Sequence, residues 1–591
     1  MKKLLLSIMA VGLMTSGASA QAVSSSTKIA KANFKEEIKR AYVPTEKASS
    51  TTPKAVVNRP KSTKVNPNAQ KAAVVGKSSI STTHNIYGSL VSEGGLLNYN
   101  PQLNVLSYTD RKPIGVVDAT LMYNSGTVVT RTSTNGGTTW DTTLVVLHNT
   151  TSFTRYPQGA ILNPPGNMVV LDAYAAATAP LINGTIWDGI AIGSIKLDGT
   201  NKVQYDIPAS IATVQQDMPR LGMNADSNGH AYSLGSNYDF DATVPYFDGF
   251  VVNRAVWNSV NSSVDWDHTN IYHAFSHDPI DDSQNFSSLG NMAFSPDGLT
   301  GYVLTIGRDS LNDYLAPMPI IYRTTDGGAT WSFYSALDYS PIFANVFTPN
   351  GAGTRPFYTA KNGFDVAVDG NGKIHILCEV AQAASNHPDS LNWAGFNGDL
   401  YDTYEDANGL WGAVKVGTVV AEPAEDPNSL GWAVTWDARA QICANSTGMK
   451  MAYTWMDTDV TIFTAFNENP NIKGASADFS SNLSSNEINF TEGTAWDANN
   501  YWIYVSNLGW DNGTDFIVPV KSAVPLNSGA LDTDPWLHEY VSGIQYAPAD
   551  YVNPLPPTFS LTGINEIQNA TIAKLIYPNP ATEKATVTLN L

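Results

Sequence analysis

Short alternations of apolar and polar residues run from about residue 84 to residue 546, and no long stretch repeats with the 3.6-residue period of an amphipathic helix. One unit recurs, in which an apolar strand, a polar turn with a glycine and a strand rich in Tyr, Val and Ile follow each other. The turn glycines, separated by 63, 69, 74 and 76 residues, are Gly166, Gly229, Gly298, Gly372 and Gly448. This spacing fits four-stranded sheets with long loops, so the pattern predicts an all-β fold of radially repeated sheets.

Weaker copies of the hairpin flank these five, at residues 98–108 and 494–504. Seven repeats predict a seven-bladed β-propeller over residues 81–546, and six blades with one irregular repeat are the alternative. An open ring of sheets would leave an unpaired edge. We therefore expect a strand within residues 86–97 to pair into the last blade.

A short loop is written twice, as Arg-Thr-Ser-Thr-Asn-Gly-Gly-Thr-Thr-Trp over residues 131–140 and Arg-Thr-Thr-Asp-Gly-Gly-Ala-Thr-Trp over residues 323–331. In each copy an Asn or Asp can bond to the backbone of its own turn, a Gly supplies positive φ, and the Trp can plug the blade. Ser133 and Thr324 at the corresponding positions lie 191 residues apart, about three repeats, which places both loops between the third and fourth strands of blades one and four.

Both loops resemble the Asp-box of sialidase-like β-propellers. The resemblance implies structural roles, at 133–140 and 324–331, for Ser133, Asn135, Gly137, Trp140, Thr324, Asp326, Gly328 and Trp331. It implies a fold and no particular reaction, because such boxes usually lie far from an active site.

The N-terminus is typical of a secretory signal peptide over residues 1–20, with two lysines, an apolar run and Ala18-Ser19-Ala20. Residues 21–80 are basic and poor in aromatic residues, which predicts a disordered leader that serves as a linker or as a tether to an anionic surface. Residues 1–77 carry a net charge of +11, whereas the rest carries −30 of the overall −19. The acidic body argues against nucleic acid as a partner.

The C-terminus carries a second resemblance. A Pro-rich linker is predicted over residues 547–563, and Ile576-Tyr-Pro-Asn-Pro-Ala581 with the alternating segment 585–590 resembles the start of a type IX secretion C-terminal sorting domain, at 564–591. The resemblance implies a bacterium of the Bacteroidota and the type IX machinery as a partner. No apolar stretch reaches the roughly 20 residues of a transmembrane segment. We expect the protein to be secreted, or attached to the outer-membrane surface, after passing through the periplasm.

Residues just before the first strand of each blade should surround the mouth of the central funnel. The side chains at these places, as candidate ligand-binding residues, are Arg155, Arg220, Arg355, Arg439, Asp217 and Asp437. Converging guanidinium groups would bind a carboxylate or a sulfate, as the arginine triad of sialidases does. Glu425 and Asp426 join Asp217 and Asp437 as candidate acid and base carboxylates. The alternative is that these acids pair with the arginines or face water.

No Arg-Ile-Pro motif precedes the first loop, and no local motif locates the nucleophile pair or acid of a sialidase, so no catalytic residue is assigned. We expect a module that binds a glycan or a surface protein. The alternatives are an exo-acting, sialidase-like glycoside hydrolase on an anionic sugar and a structural or adhesive surface protein.

No cofactor is predicted apart from a structural Ca²⁺ in one of the acidic loops, at 239–241, 278–282, 457–459 or 532–534. Tryptophans concentrate in the last blades. They could pack between blades or form a platform that binds a glycan. Cys378 and Cys443 predict either one disulfide bridge or two buried thiols in neighbouring blades.

Overall fold

The computed structural model describes residues 75–89, 91, 93–112, 126–141, 143–149, 152–183, 186–208, 216–217, 221–239, 246–273, 275, 290–309, 316–334, 337–347, 354–387, 390–393, 397–425, 435–463, 465–526 and 535–561. The predicted signal peptide, nearly all of the leader and the sorting domain lie outside the described residues. Within them, no helix is long and apolar enough to cross a membrane.

The first half of the chain begins with a strand and then forms four sheets. Before the first sheet come β1 (Gly76–Thr83) and a 3-10 turn (Tyr87–Ser89). The first sheet contains β2 (Leu97–Asn100), β3 (Val105–Arg111), β4 (Thr127–Ser133) and β5 (Leu144–His148). The second contains β6 (Phe153–Thr154), β7 (Gln158–Leu162), β8 (Tyr174–Asn183), β9 (Ile186–Lys196) and β10 (Val203–Pro208), with a 3-10 turn at Val170–Asp172. The third contains β11 (Gln216–Asp217), β12 (Met223–Ala225), β13 (His230–Asp239), β14 (Tyr246–Asn258) and β15 (Ser263–Tyr272). The fourth contains β16 (Asn291–Phe294), β17 (Gly301–Gly307), β18 (Met318–Thr324) and β19 (Ser332–Phe333).

The second half forms three more large sheets. A one-turn helix α1 (Ser340–Phe343) precedes the fifth sheet, which contains β20 (Thr354–Val368), β21 (Ile374–His387), β22 (Ser390–Trp393), β23 (Asp399–Glu405) and β24 (Trp411–Thr418). A two-stranded pair, β25 (Ala424–Glu425) and β26 (Thr435–Trp436), follows it. The sixth sheet contains β27 (Gln441–Ala444), β28 (Lys450–Thr458), β29 (Pro470–Asp478), β30 (Leu483–Ser485) and β31 (Ile488–Asn489). The seventh sheet contains β32 (Tyr501–Val505), β35 (Val520–Pro525) and β36 (Trp536–Ser542), together with β1. A small separate sheet contains β33 (Trp510–Asp511), β34 (Phe516–Ile517) and β37 (Gln545–Tyr546). After a 3-10 turn (Pro548–Asp550), β38 (Tyr551–Pro554) joins the sixth sheet.

The sheets close into a ring around an axis. The innermost strands are β2, β7, β12, β16, β20, β27 and β32, and each contacts the next, with β32 returning to β2. Every strand pair inside these sheets is antiparallel. The all-β propeller prediction is therefore confirmed, and the described residues contain seven sheets of four or more strands.

The ring closes through β1, which pairs with β36 as the outermost strand of the seventh sheet. The prediction that a strand within residues 86–97 closes the ring is wrong, because Leu97 already belongs to the first inner strand. The closing strand lies at the rim and β2 lies at the axis. The chain between them must therefore cross the end of the ring, and it cannot also serve as an edge strand.

The predicted hairpins are confirmed by the backbone at their turns. Each turn glycine has positive φ, between 69° and 83°: Gly166, Gly229, Gly298, Gly372 and Gly448. Each lies between the innermost strand of a sheet and the second strand. Glycine adopts this conformation without steric cost, which explains why the repeat is visible in the sequence.

The two repeated loops fold alike, between β4 and β5 and between β18 and β19. Asn135 Oδ1 accepts a hydrogen bond from the backbone N–H of Thr139 at 3.0 Å, and Asp326 Oδ1 accepts one from that of Thr330 at 2.9 Å. The hydroxyls of Ser133 and Thr324 each accept the N–H of the glycine four residues later, at 3.0 Å. The half-buried rings Trp140 and Trp331 pack on the hydrophobic clusters beside their sheets. The loops are therefore self-contained turns that anchor the outer strands.

Polar side chains on the inner strands tie each sheet to its neighbour. Asn98 donates to the carbonyl of Gly159 at 2.6 Å, and Asn224 donates to that of Met292 at 2.6 Å. Further bridges run from Asn291 to the carbonyl of Phe364, from the N–H of Ile442 to Asp365, and from Gln441 to the carbonyl of Ile503. Inner strands of different sheets form no ladder with each other, so these side chains satisfy buried backbone groups.

The segment predicted as a Pro-rich linker packs on the rim of the ring. β38 pairs with β30 at the outer edge of the sixth sheet, and Phe559 exchanges two 2.7 Å backbone hydrogen bonds with Trp411 of the fifth. We call residues 547–561 the rim belt. The folded chain therefore extends on both sides of the predicted 81–546 span, from β1 to the rim belt.

Buried hydrophobic clusters lie between neighbouring sheets. One of them joins β1, the first sheet and the seventh through Ile80, Leu106 and Tyr504. Cys378 and Cys443 are free, fully buried thiols in the adjacent fifth and sixth sheets, so the disulfide alternative is wrong. Packing between sheets accounts for these buried thiols, and no covalent bridge is needed to hold them.

Candidate functional site

The inner strands all begin at one end of the ring, which we call the mouth. Arg439 lies two residues before β27 and Arg155 three residues before β7, as predicted for mouth positions. Arg355, in contrast, lies inside the long strand β20. Arg220, Asp426 and the side chains of Asp217 and Glu425 lie outside the described residues.

The described residues between β1 at the rim and β2 at the axis, 84–89, 91 and 93–95, cover the mouth, and we call them the crossover. A Cβ on Gly95 would lie 2.7 Å from the backbone nitrogen of Met223 in the third sheet. A Cβ on Gly222 would lie 3.1 Å from the carbonyl oxygen of Glu93. The crossover therefore touches sheets on the far side of the axis, and the protein's own chain fills the mouth.

Arg439 is buried beneath the crossover and binds it. Its guanidinium donates to the carbonyl oxygen of Ser89 at 2.7 Å, and its Nε lies 3.6 Å from Asp437 Oδ1. The guanidinium also lies over the rings of Trp502 and Tyr504, 4.6 and 5.2 Å from their centroids. Only 1% of Arg439 is exposed. The structure thus brings Asp437 and Arg439 together, and the partner of Arg439 is the crossover backbone.

The described contacts of the other two arginines lie elsewhere. Arg155 donates to the carbonyl of Thr154 at 3.0 Å and lies over the ring of Phe153, both in its own sheet. Arg355 donates to the hydroxyl of Ser340 in α1 at 3.4 Å. These contacts bind each arginine to its own part of the fold.

Lys521 and Asp110 are further charged side chains under the crossover, and no sequence motif predicted a role for them. Lys521 Nζ donates to the carbonyl of Trp502 at 3.1 Å and to the hydroxyl of Ser89 at 3.3 Å, and burial lowers its pKa. Asp110 accepts hydrogen bonds from the hydroxyl of Tyr108 and, at 2.7 Å, from the backbone N–H of Arg111. Burial also raises the pKa of Asp110. Asp110 lies in β3 and Lys521 in β35, and only the ring closure brings these distant strands close to each other.

We call Asp110, Asp437, Arg439 and Lys521 the hub. All four are buried, with exposed fractions of 5% or less. Their hydrogen bonds and charges are used on the crossover, on each other and on strand backbones. The hub therefore holds the mouth closed, and it offers no open guanidinium to a ligand carboxylate.

The other end of the ring contains an open cavity on the axis, of about 130 Å³. Its walls are the last residues of the inner strands and the turns that follow them. The described residues of all seven sheets contribute, the lining being Asn98 to Gln102, Ala160, Ile161, Asn224 to Ser227, Ala293 to Pro296, Val366 to Val368, Ala444, Ser446, Asn507 and Leu508. We call this space the axial cavity.

Amides and hydroxyls supply most of the polar atoms of the axial cavity. No Lys, Arg or His is among its described lining residues, and Asp226 is its one carboxylate. Asp226 accepts hydrogen bonds from Tyr232 Oη at 3.0 Å and lies 2.8 Å from His230 Nδ1, so its charge is already engaged. Inner strands also have no ladder partner on their axial side, which turns backbone polar groups toward the cavity. The cavity suits a neutral ligand that both donates and accepts hydrogen bonds.

Contacts between sheets hold the cavity walls in place. Asn507 of the seventh sheet donates to Asn224 of the third, which joins opposite sides of the axis. Gln102 donates to the carbonyl of Ser227 at 3.1 Å and accepts from Asn163 at 2.9 Å. These hydrogen bonds between lining and neighbouring side chains fix the orientation of the lining side chains before a ligand binds.

None of the described residues forms a group of three or more His, Cys, Asp or Glu side chains arranged to hold a metal ion. In the acidic loop 457–459, Asp457 lies 2.8 Å from Lys473 Nζ and accepts the N–H of Ala421 at 2.9 Å. That carboxylate therefore serves as an ion-pair partner. The loop at 278–282 and the loop at 532–534 lie outside the described residues, as does part of the loop at 239–241.

No protein family and no curated protein matches this chain. A Dyadobacter fermentans protein of unknown function is similar in structure, with 11% identity, a TM-score of 0.35 and coverage of 79% of this chain and 99% of that chain. An ulvan lyase bound to -[GlcA(1-4)Rha3S]- shows 8% identity, a TM-score of 0.40 and coverage of 82% and 100%. A Fusarium graminearum α-L-arabinofuranosidase in complex with arabinobiose shows 11% identity, a TM-score of 0.30 and coverage of 68% and 99%. At these TM-scores the similarities do not bear on activity.

Proposed function

We propose that this protein is a non-catalytic glycan-binding β-propeller that holds a neutral sugar unit in the axial cavity. The observation that carries the proposal is the cavity lining, in which amide and hydroxyl groups from opposite sheets surround an open space of about 130 Å³. Small-ligand sites combine apolar walls with a few fixed polar groups, and Ala, Ile and Val side chains supply the apolar walls here.

The number and the positions of the carboxylates favour binding of a glycan over its hydrolysis. A glycosidase of the usual kind needs two carboxyl groups on opposite sides of the scissile bond. The described cavity lining supplies only Asp226, which is engaged by His230 and Tyr232. The carboxylates near the mouth, Asp110 and Asp437, are buried beneath the crossover. Among the described residues, the lining of the axial cavity therefore does not supply the pair of carboxyl groups that an exo-acting hydrolase of an anionic sugar needs.

The same lining favours a neutral sugar over an anionic one. A sugar carboxylate or sulfate is usually held by Arg or Lys, and neither is among the described lining residues. The ring as a whole is also strongly acidic, because residues beyond the leader carry a net charge of −30. Anionic glycans would meet unfavourable potential on approach.

The place of action is proposed from the sequence alone. The signal-peptide pattern and the sorting-domain resemblance together support export through type IX secretion and display at the cell surface. A glycan-binding propeller at that location would meet glycans outside the cell. A surface protein as the ligand is the alternative partner.

The proposal is tested by isothermal titration of the full-length protein with glucose, galactose, mannose, xylose and arabinose, and with glucuronic acid as the anionic comparison. We expect at least one neutral sugar to bind and glucuronic acid not to bind. Asn507→Ala removes a polar group of the cavity and should weaken binding about tenfold, which corresponds to about 1.4 kcal/mol. Asn553→Ala on the rim belt is the matched control and should bind as the wild type does. Binding only of glucuronic acid, or equal binding by both variants, would contradict the proposal.

A further inference from the structure

An aromatic pair stands at the edge of the axial cavity, where the seventh sheet meets the first. Tyr99 lines the cavity, and its ring centroid lies 4.8 Å from that of Trp510, with the ring planes inclined by 39°. Both rings are half-buried against the cluster between these sheets. Tyr99 lines the cavity together with Pro101 and Leu508, and its ring contact brings Trp510 next to that lining.

Hydrogen bonds and strand pairing hold the pair in position. Tyr99 donates from its hydroxyl to Asn104 Oδ1 at 3.0 Å and from its backbone N–H to Ser506 Oγ at 2.9 Å. Trp510 lies in β33 and pairs with Ile517 of β34. Rigid aromatic surface of this kind binds with little loss of side-chain entropy.

Phe294, the other aromatic residue of the described lining, packs against other rings of the protein. Phe294 stacks on Tyr232, with centroids 3.9 Å apart and planes inclined by 16°, and it meets Trp331 edge-on at 5.9 Å. The described ring contact of Tyr99 and Trp510 is with each other. The cavity therefore has one aromatic wall that is used for packing and one that is partly open.

We propose that Tyr99 and Trp510 form a stacking platform for a second sugar unit, so that the ligand is a neutral oligosaccharide with its terminal unit in the axial cavity. This inference rests on the proposed function. The apolar face of a pyranose ring packs against aromatic rings, and Trp offers the largest such surface. Tyr99 lines the cavity and Trp510 lies beyond the lining. The platform would therefore hold the sugar unit that is linked to the terminal unit in the cavity.

The test compares each monosaccharide with its tetrasaccharide, using cellotetraose, mannotetraose and galactotetraose against glucose, mannose and galactose in titrations of the full-length protein. We expect the matching tetrasaccharide to bind more tightly than the monosaccharide. Trp510→Ala should reduce tetrasaccharide affinity at least tenfold and leave monosaccharide affinity unchanged. Trp510→Phe, which keeps an aromatic ring, should retain most of the affinity, and it also serves if the alanine variant fails to fold.

Trp266→Ala, at a half-buried tryptophan of the outer strand β15, is the matched control and should bind both ligands normally. Equal affinity of Trp510→Ala and wild type for the tetrasaccharide would overturn the inference, and so would an equal loss for both ligand lengths or an equal loss in Trp510→Phe. If the wild type binds no neutral monosaccharide and no tetrasaccharide, the proposed function itself fails.

Discussion

The guanidinium of Arg439 donates a 2.7 Å hydrogen bond to the carbonyl oxygen of Ser89. Arg439 stands before the first strand of the sixth sheet, at a position that often faces ligands in a propeller, whereas Ser89 belongs to the crossover. The arginine is thus used to hold the protein's own chain over the mouth. The open end of the axis is consequently the opposite one, where the inner strands end.

Removing this guanidinium should destabilise the ring. Arg439→Ala leaves Asp437 without its cation and uncovers Trp502, and the loss of one partner of a buried ion pair costs about 3 to 5 kcal/mol. Urea unfolding measures the free energy of unfolding. The control is Arg254→Ala, whose surface pair with Asp267 should contribute about 1 kcal/mol or less. Equal stability of the two variants would contradict the role given to Arg439.

Closure of the mouth depends on close approach at Gly95. A methyl group there would lie 2.7 Å from the backbone nitrogen of Met223, which cannot rotate away. Gly95→Ala should therefore lower the free energy of unfolding by about 1 to 3 kcal/mol, in the range of overpacked cores. Gly76→Ala meets only the side-chain hydroxyl of Ser542 at 3.0 Å and should be nearly neutral. The same midpoint of thermal unfolding for both variants would contradict the close approach at Gly95.

Stability should depend on pH through Asp365. Burial raises the pKa of Asp365 to about 7, helped by the charge of Glu93, although the backbone N–H groups of Ile442 and Val366 oppose the shift. The folded chain then keeps this proton up to about pH 7, whereas the unfolded chain releases it near pH 4. The contribution of Asp365 to stability is therefore largest below pH 4 and falls as the pH rises to about 7.

Asp365→Asn removes this titration. The free energy of unfolding of the wild type, minus that of the variant, should fall by about 1 kcal/mol or more between pH 4 and pH 7 and stay level above pH 7. Urea titrations at several pH values measure the difference. A difference that is constant with pH, or that grows toward pH 7, would show that Asp365 is not protonated in the folded chain.

The rim belt should be part of the cooperative fold. Ending the chain at residue 546 removes β38 and the Phe559 contact, which exposes the edges of β30 and β24 and the cluster under Leu555. Exposed edges favour association, so this form should unfold at a lower temperature and aggregate more readily. A chain ended at residue 561 keeps the belt and is the control. Identical melting and solubility of the two forms would show that the belt is a passive linker.

The parts of the fold that local chemistry dictates were predictable from the sequence. Turn glycines such as Gly298 and Gly372 need positive φ, and the repeated loops close through Asn135 and Asp326 within five residues. Alternation of apolar and polar residues predicted the strands, because the two faces of each sheet pack against neighbouring sheets. These signals depend on neighbours along the chain.

The site depends on contacts between distant residues, and its position could not be predicted. Asn224 meets Asn507, and Arg439 meets Ser89, only because the ring returns to its start. Nothing local distinguishes Lys521 in a strand from an exposed lysine, and burial becomes visible only when the crossover lies above it. The amides facing the cavity resemble ordinary turn residues in the sequence, whereas the arginines at the other end of the ring resemble ligand-binding residues.

We place the ligand site at the end of the axis where the inner strands finish. A crystal structure of the full-length protein with the neutral oligosaccharide that binds best tests this placement. We expect one sugar ring within hydrogen-bond distance of Asn224 and Asn507 and the next ring on Trp510. A sugar bound at the mouth, with the crossover displaced from Arg439, would contradict it.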